Sequence, residues 1–133
     1  MAIASTILMI RPAAFGFNYQ TGGNNFFQSE PGFPTGKLQQ SALEEFENMV
    51  QTLRSRNIVV EVLDDTAEPP KPDAIFPNNW LSTFPSGVIS IYPLFAPNRR
   101  PEKRNDLLDW IAGAYVVKDL QDWSEFEVEG RFL

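Results

Sequence analysis

Apolar positions along the chain change their period several times, and each change predicts an element. Ser5 to Ile10 (STILMI) is a short, largely apolar run with a β-branched start. It predicts a buried strand ending at Arg11-Pro12, since proline cannot continue a central ladder. Between Thr35 and Arg56 the spacing becomes helical. Leu43, Phe46, Val50 and Leu53 recur every three or four residues, and Leu38, Ala42 and Met49 widen the stripe. Thr35 after Pro34 fits an N-cap, and Ser41 with Glu44 fits a capping box, so two starts are open. Glu44, Glu45 and Glu47 come early and Arg54 and Arg56 late, which suits the helix dipole. The acidic cluster reads as a solvated face, not a metal site. Asn57 ends the helix, and Ile58 to Leu63 predicts a second buried strand. Strand, helix and strand in that order imply parallel pairing through a right-handed crossover.

The second half repeats the theme with a hairpin in front. Asn79 to Phe84 and Val88 to Leu94 predict two strands, with the turn at Pro85-Ser86-Gly87. Pro97 to Glu102 reads as a loop. Leu107, Leu108, Ile111 and Ala112 give the next helix its apolar face, and Gly113 fits its C′ position. Ala114 to Leu120 predicts another strand, and Asp122 to Glu129 reads as irregular. The fold class is α/β, with about two strand–helix–strand modules. No close internal repeat is visible.

Two stretches fall outside this pattern. Pro12 to Pro34 is long and irregular, yet holds Phe15, Phe17, Tyr19, Phe26, Phe27 and Phe33. Rings seek burial, so it is either a lid hinged at Gly22-Gly23 or a surface loop tucked under its own aromatics. Asp64 to Asp73 is acidic and proline-rich, and it leads into Pro72-Asp73-Ala74-Ile75-Phe76-Pro77-Asn78-Asn79-Trp80. Here Asp73, Asn78 and Asn79 lie close together on a segment stiffened by two prolines. A carboxylate beside carboxamides suits a planar ligand that donates several hydrogen bonds, such as a guanidinium or urea. The plainer alternative is that these residues only make turns. Arg11, at a strand end, is a candidate ligand contact or a surface ion-pair partner.

Composition narrows the function. A chain of 133 residues with 43% hydrophobic and 21% charged residues is globular and fits one domain, residues 1–133. The formal charge of −6 disfavours a nucleic-acid partner. No apolar run reaches membrane-spanning length, and the apolar start lacks the marks of a signal peptide, so no membrane partner is expected and a cytoplasmic location is the default. There is no Cys and no His. Disulfides, thiolate metal sites and the commonest general base are therefore excluded, and neither a metal nor another cofactor is predicted.

"PDAIFPNNWLSTF" resembles the signature of the guanidino-group-modifying, or pentein, superfamily, in its citrulline-utilisation hydrolase or amidinotransferase-like branch. "ILMIRPAAFGFN" and "YPLFAPNRRPEKR" agree in content and order, so the resemblance covers nearly the whole chain. It implies a partial pentein-type α/β propeller, the N-terminal part of a fold of five modules about a pseudo-fivefold axis. It implies that Asp73 contacts a guanidino or ureido group. Asn78 and Asn79 fall where related dimethylarginine hydrolases carry an acidic pair, which favours a neutral ureido substrate such as citrulline. Arg99 and Arg100 match a loop whose arginine holds the substrate α-carboxylate; the alternative is that Arg99, Arg100, Lys103 and Arg104 form a solvated basic patch. The superfamily also implies a closing loop near Gly22-Gly23. It attacks with a Cys and shuttles protons with a His, and this chain has neither, so no catalytic residue is assigned. Three readings follow: the N-terminal portion of a longer hydrolase or transferase, inactive alone; a non-catalytic ligand-binding or assembly module; or an unrelated α/β domain. A two-module piece would leave strand edges and apolar flanks open, which predicts a homo-oligomer.

Overall fold

A computed structural model describes residues 4–23, 32 and 34–132. The chain divides into two units, Met1–Ile75 and Phe76–Leu133. Among the described residues no helix is long and apolar enough to cross a membrane.

In the first unit, β1 (Thr6–Arg11) and β2 (Val59–Asp64) run parallel, with Thr6 opposite Val59 and Arg11 opposite Asp64. Helix α1 (Thr35–Ser55) connects them, as the hydrophobic period predicts. Phe46 and Val50 of α1 pack with Val60 of β2, and Met9, Leu53, Ile58, Val62 and Ile75 surround them. Burial of such side chains is worth about 1.5–3 kcal/mol each. The apolar stripe is narrower than the pattern predicts, because Met49 is 54% exposed.

Both expected starts of α1 are corrected. Thr35 is already helical, Pro34 holds the cap position, and no side chain among the described residues caps the end. The Pro34 carbonyl accepts from the N–H groups of Lys37 and Leu38 at 3.0 and 3.3 Å. Ser41 and Glu44 therefore lie inside the helix. The other end follows the prediction. Asn57 takes a left-handed φ of 63°. Its N–H donates to Arg54 O at 3.0 Å, and the Ile58 N–H reaches back to Leu53 O at 3.2 Å. This pair of bonds is a Schellman motif, and Asn tolerates the left-handed position better than a branched residue would. Ile58 and Leu53 supply the accompanying apolar contact at the core.

In the second unit, β3 (Leu81–Thr83), β4 (Val88–Ile91) and β5 (Asp119–Asp122) form a sheet in that order. β3 and β4 are antiparallel, while β4 and β5 are parallel. Helix α2 (Asn105–Ala114) lies between β4 and β5 in sequence and buries Leu107 and Ile111. Gly87 closes the hairpin at φ +87°; a Cβ there would lie 2.9 Å from the Val116 carbonyl oxygen. Only glycine fits both constraints.

Several boundaries and short elements differ from the sequence reading. β3 starts at Leu81, not Asn79, because Pro77–Asn79 forms a 3₁₀ turn. β4 stops at Ile91, not Leu94, and Pro93 two residues on cannot donate to a ladder. Pro97–Glu102 is a 3₁₀ helix, not a loop. Gly113 is not a C′ residue: α2 runs through Ala114 and ends where extended Tyr115 donates its N–H to Ile111 O at 2.9 Å. The predicted strand Ala114–Leu120 accordingly arrives late. Its ladder is set by the hairpin, since Lys118 N–H donates to Gly87 O at 2.8 Å and Trp123 N–H to Ile91 O at 2.9 Å. Val116 stays outside the strand and 79% exposed. Ser124–Glu127, expected to be irregular, is a short 3₁₀ turn.

Candidate functional site

In the first unit the chain folds around three buried charged side chains, Asp65, Lys71 and Asp73. The acidic linker wraps Lys71, whose Nζ donates to Thr66 O at 2.7 Å, Thr66 Oγ1 at 2.8 Å and Pro69 O at 2.9 Å. Asp65 Oδ1 lies 3.2 Å away, and both side chains are 1% exposed. A lysine has three N–H donors, so this cage satisfies the ammonium. The turn so formed carries the chain directly to Asp73.

Asp73 is buried. Its Oδ2 accepts from Asn18 Nδ2 at 2.7 Å and from Thr21 Oγ1 at 3.4 Å. Asn18 is fully buried, and it also organises the segment after β1. Its Oδ1 accepts the Gln20 N–H at 3.0 Å, and its carbonyl accepts the N–H groups of Thr21 and Gly22 at 3.1 and 2.7 Å. Gly22 serves a close approach here: a Cβ would lie 2.4 Å from Phe17 Cζ. Phe17 meets Tyr19 edge-on at 4.9 Å between ring centroids. Tyr19 itself stays 76% exposed. The rest of the expected lid, residues 24–31 and 33 with Phe26, Phe27 and Phe33, lies outside the described residues. Gln39 of α1 ties the same segment down, donating to Pro12 O at 2.8 Å and accepting from Phe15 N–H at 2.5 Å.

Arg11 is an ion-pair partner, the second of its two sequence readings. Its Nε meets Glu47 Oε1 at 2.7 Å and its Nη1 meets Asp64 Oδ1 at 2.6 Å. The hydrogen bond to Glu47, then that to Asp64, pushes the guanidinium above its ordinary range.

The second unit holds the other candidates. Asn78 and Asn79 occupy the Pro77–Asn79 turn with exposed side chains. Asn79 Oδ1 accepts from Arg99 Nη1 at 2.9 Å. The opposite side of that guanidinium is held by Glu102, with Nε to Oε1 and Nη2 to Oε2 both at 2.8 Å. Glu102 is buried, and this paired geometry fixes the guanidinium plane. Arg100 points elsewhere: its Nε lies 3.4 Å from Leu94 O and 3.2 Å from Glu127 Oε2. Lys103 shares Glu127 and donates to Ser124 Oγ at 2.7 Å. Glu127 also accepts the Leu94 N–H at 2.8 Å. The basic residues Arg99, Arg100, Lys103 and Arg104, which the sequence leaves open as a ligand loop or a solvated patch, each lie against an acid.

Of the five residues the sequence singles out, the structure joins Asn79 to Arg99, places Asn78 exposed beside them in the chain, and turns Arg100 toward Glu127. Asp73 is held by Asn18 and Thr21. Sequence reasoning missed Asn18, Lys71, Glu102 and Glu127. Lys71 left a signal, being the only basic residue between Arg56 and Arg99, in an acidic stretch with Asp64 and Asp65 before it and Asp73 after it. Glu102 follows Arg99 by three residues, the spacing of one helical turn. Glu127 left none, since its partners are more than twenty residues away in the chain. Among the described residues no group of three or more acidic, His or Cys side chains could hold a metal ion.

Comparison with known structures places this mixed α/β fold. It is similar to ArgZ, an arginine dihydrolase from the ornithine–ammonia cycle in cyanobacteria, with a TM-score of 0.63 and 17% identity over 90% of this chain. It is also similar to the N-terminal domain of an ArgZ variant covalently bound to a reaction intermediate, with a TM-score of 0.64 and 15% identity over 90% of this chain. At these identities the likeness is one of fold. The chain spans 17% and 40% of those two chains. No curated protein sequence matches. Residues 11–133 match the eukaryotic N,N-dimethylarginine dimethylhydrolase family, and the chain belongs to that family.

Proposed function

We propose that this chain is the substrate-recognising N-terminal portion of a hydrolase of guanidino or ureido compounds, acting on citrulline or an arginine derivative. The family match carries the reading: it runs through all five candidate residues, while the chain contains neither Cys nor His. Both solved relatives are arginine-dihydrolase chains. We read each strand–helix–strand unit as one module of a propeller, and the chain as one N-terminal domain of it.

Asp73 takes the N–H groups of the guanidino or ureido end. Asn18 and Thr21 orient its carboxylate. Asn78 and Asn79 favour the ureido form, because an amide offers acceptor and donor together whereas a cationic guanidinium favours carboxylates. Arg99 and Arg100 bind the α-carboxylate. Arg99 is fixed in place by Glu102; both terminal nitrogens of Arg100 are without a hydrogen-bond partner among the described residues. Without a thiol or imidazole the chain performs no hydrolysis by itself, since nucleophilic catalysis needs an activated nucleophile with a base in reach. The absence of both groups also favours a second reading, in which the chain is a non-catalytic binding module of the same fold.

Titration of citrulline and arginine into the purified chain, followed residue by residue by NMR, tests this. Citrulline should perturb Asp73 to Trp80 more than arginine does, and Asn78→Asp should reverse the preference. No ammonia should be released from either compound. Binding of neither, or ammonia release abolished by Asp73→Ala, would overturn the reading.

A further inference from the structure

We propose that β5 is a docking edge for a second copy of this chain, paired antiparallel about a two-fold axis through Leu120. The site is independent of the ligand-binding residues. β5 ends its sheet, having β4 on one side and no strand on the other among the described residues. All four of its residues, Asp119 to Asp122, are exposed, which is true of no other strand among the described residues. An open edge presents unpaired N–H and C=O groups that another strand can satisfy.

The side chains select the occupant. Along any strand, outward-facing backbone groups come from alternate residues, and an antiparallel partner must match outward residue to outward residue. Two identical strands related by a two-fold axis therefore centre on a residue facing its own copy, never between two residues. Centring on Asp119 or Asp122 sets two like carboxylates face to face. Centring on Gln121 sets Leu120 against Asp122 of the other copy. Centring on Leu120 sets leucine on leucine, Asp119 on Gln121, and Lys118 on Asp122, the last two pairs occurring twice by symmetry. That register alone opposes opposite charges and no like ones. Cross-strand pairs of this kind stabilise a sheet, and like charges directly opposite destabilise it. The edge is thus self-complementary in one register, and the resulting interface is isologous and closed. Leu120 is 50% exposed in the single chain and would be covered at its centre.

Sedimentation of the full chain across the micromolar range reads the dimer directly. Wild type should shift from monomer toward dimer with concentration, and added salt should weaken the shift. Lys118→Glu puts glutamate against Asp122 twice and should weaken association by about tenfold. Asp122→Lys puts lysine against Lys118 twice and should do the same. Mixed in equal amounts, the two variants regain both opposed pairs and should form a heterodimer. Circular dichroism checks that each variant is folded, and the mixture remains decisive if one is destabilised. A wild-type monomer at every concentration, or variants that self-associate like wild type and gain nothing on mixing, would overturn the proposal.

Discussion

β1–α1–β2 and β4–α2–β5 share an order and a parallel pairing, yet they are finished differently. The first has a helix of 21 residues and a second strand, VVEVLD, whose Val60 is buried against Phe46 and Val50. The second has a helix of 10 residues and a second strand, DLQD, with no buried residue at all. The same topology therefore tolerates a strand held largely by its ladder. Charge follows the same division. The first unit encloses one ammonium in a cage of carbonyl and hydroxyl oxygens with a single buried carboxylate. The second distributes several cations over shared acids, with Glu127 serving Arg100 and Lys103.

The sharpest way to break the comparison is to remove the caged cation. Lys71→Met fills similar volume but leaves Asp65, only 1% exposed, without its counter-charge. Breaking a buried pair from one side costs about 3–5 kcal/mol. An unfolding free energy from urea titration lowered by that amount is expected, with the slope unchanged. A loss below 1 kcal/mol, in the range of exposed ion pairs, would show that the cage is open to water.

How far these features were legible in the sequence follows from the range of the forces that set them. The period of Phe46, Val50 and Leu53 and the left-handed tolerance of Asn57 are local properties, so α1 and its end were readable. The parallel pairing of β1 with β2 followed from element order. Gly113 misled because a glycine near a helix end usually marks its stop, whereas here Tyr115 N–H still reaches Ile111 O. Val116 and Val117 misled because β-branched residues favour strands, whereas the ladder begins only where the Gly87 carbonyl meets Lys118. The polar partners of the candidate site were least legible. Asn18 meets Asp73 across 55 residues, a pairing that no spacing rule encodes. Glu102 was closer to hand, on the turn that carries Arg99.

Gly87 sharpens the comparison at a middle scale. The first unit turns its chain at Asn57, where a side chain is accommodated, and the second at Gly87, where none fits. Gly87→Ala would place a methyl 2.9 Å from Val116 O and hold alanine at positive φ. The backbone term alone is about 1–2 kcal/mol. The expected result is a loss of about 2 kcal/mol, with faster amide exchange at Lys118, whose N–H depends on the Gly87 carbonyl. Unchanged exchange at Lys118 would show that the hairpin does not set where β5 begins.

The smallest expected effect concerns the start of α2. Asp106 lies in its first turn and accepts from Arg104, Nε to Oδ1 at 3.0 Å and Nη2 to Oδ2 at 2.6 Å. The hydrogen bond from Arg104 is the main cause that holds its carboxyl below the ordinary 3.8, and burial opposes it. A depressed carboxylate pKa contributes stability that is complete above the unfolded value and is lost as pH falls through the folded one. The side chain is 67% exposed, so solvent screens most of the interaction. A charge at a helix N-terminus in that setting is worth about 0.5 kcal/mol. Asp106→Asn should therefore lower stability by about that much at neutral pH, and the gap between variant and wild type should close as the solution is taken well below pH 3.8. Urea midpoints at several pH values measure it. A gap that stays constant into acid would mean that the side chain acts through its shape or its neutral hydrogen bonds, and that its charge contributes nothing to the helix.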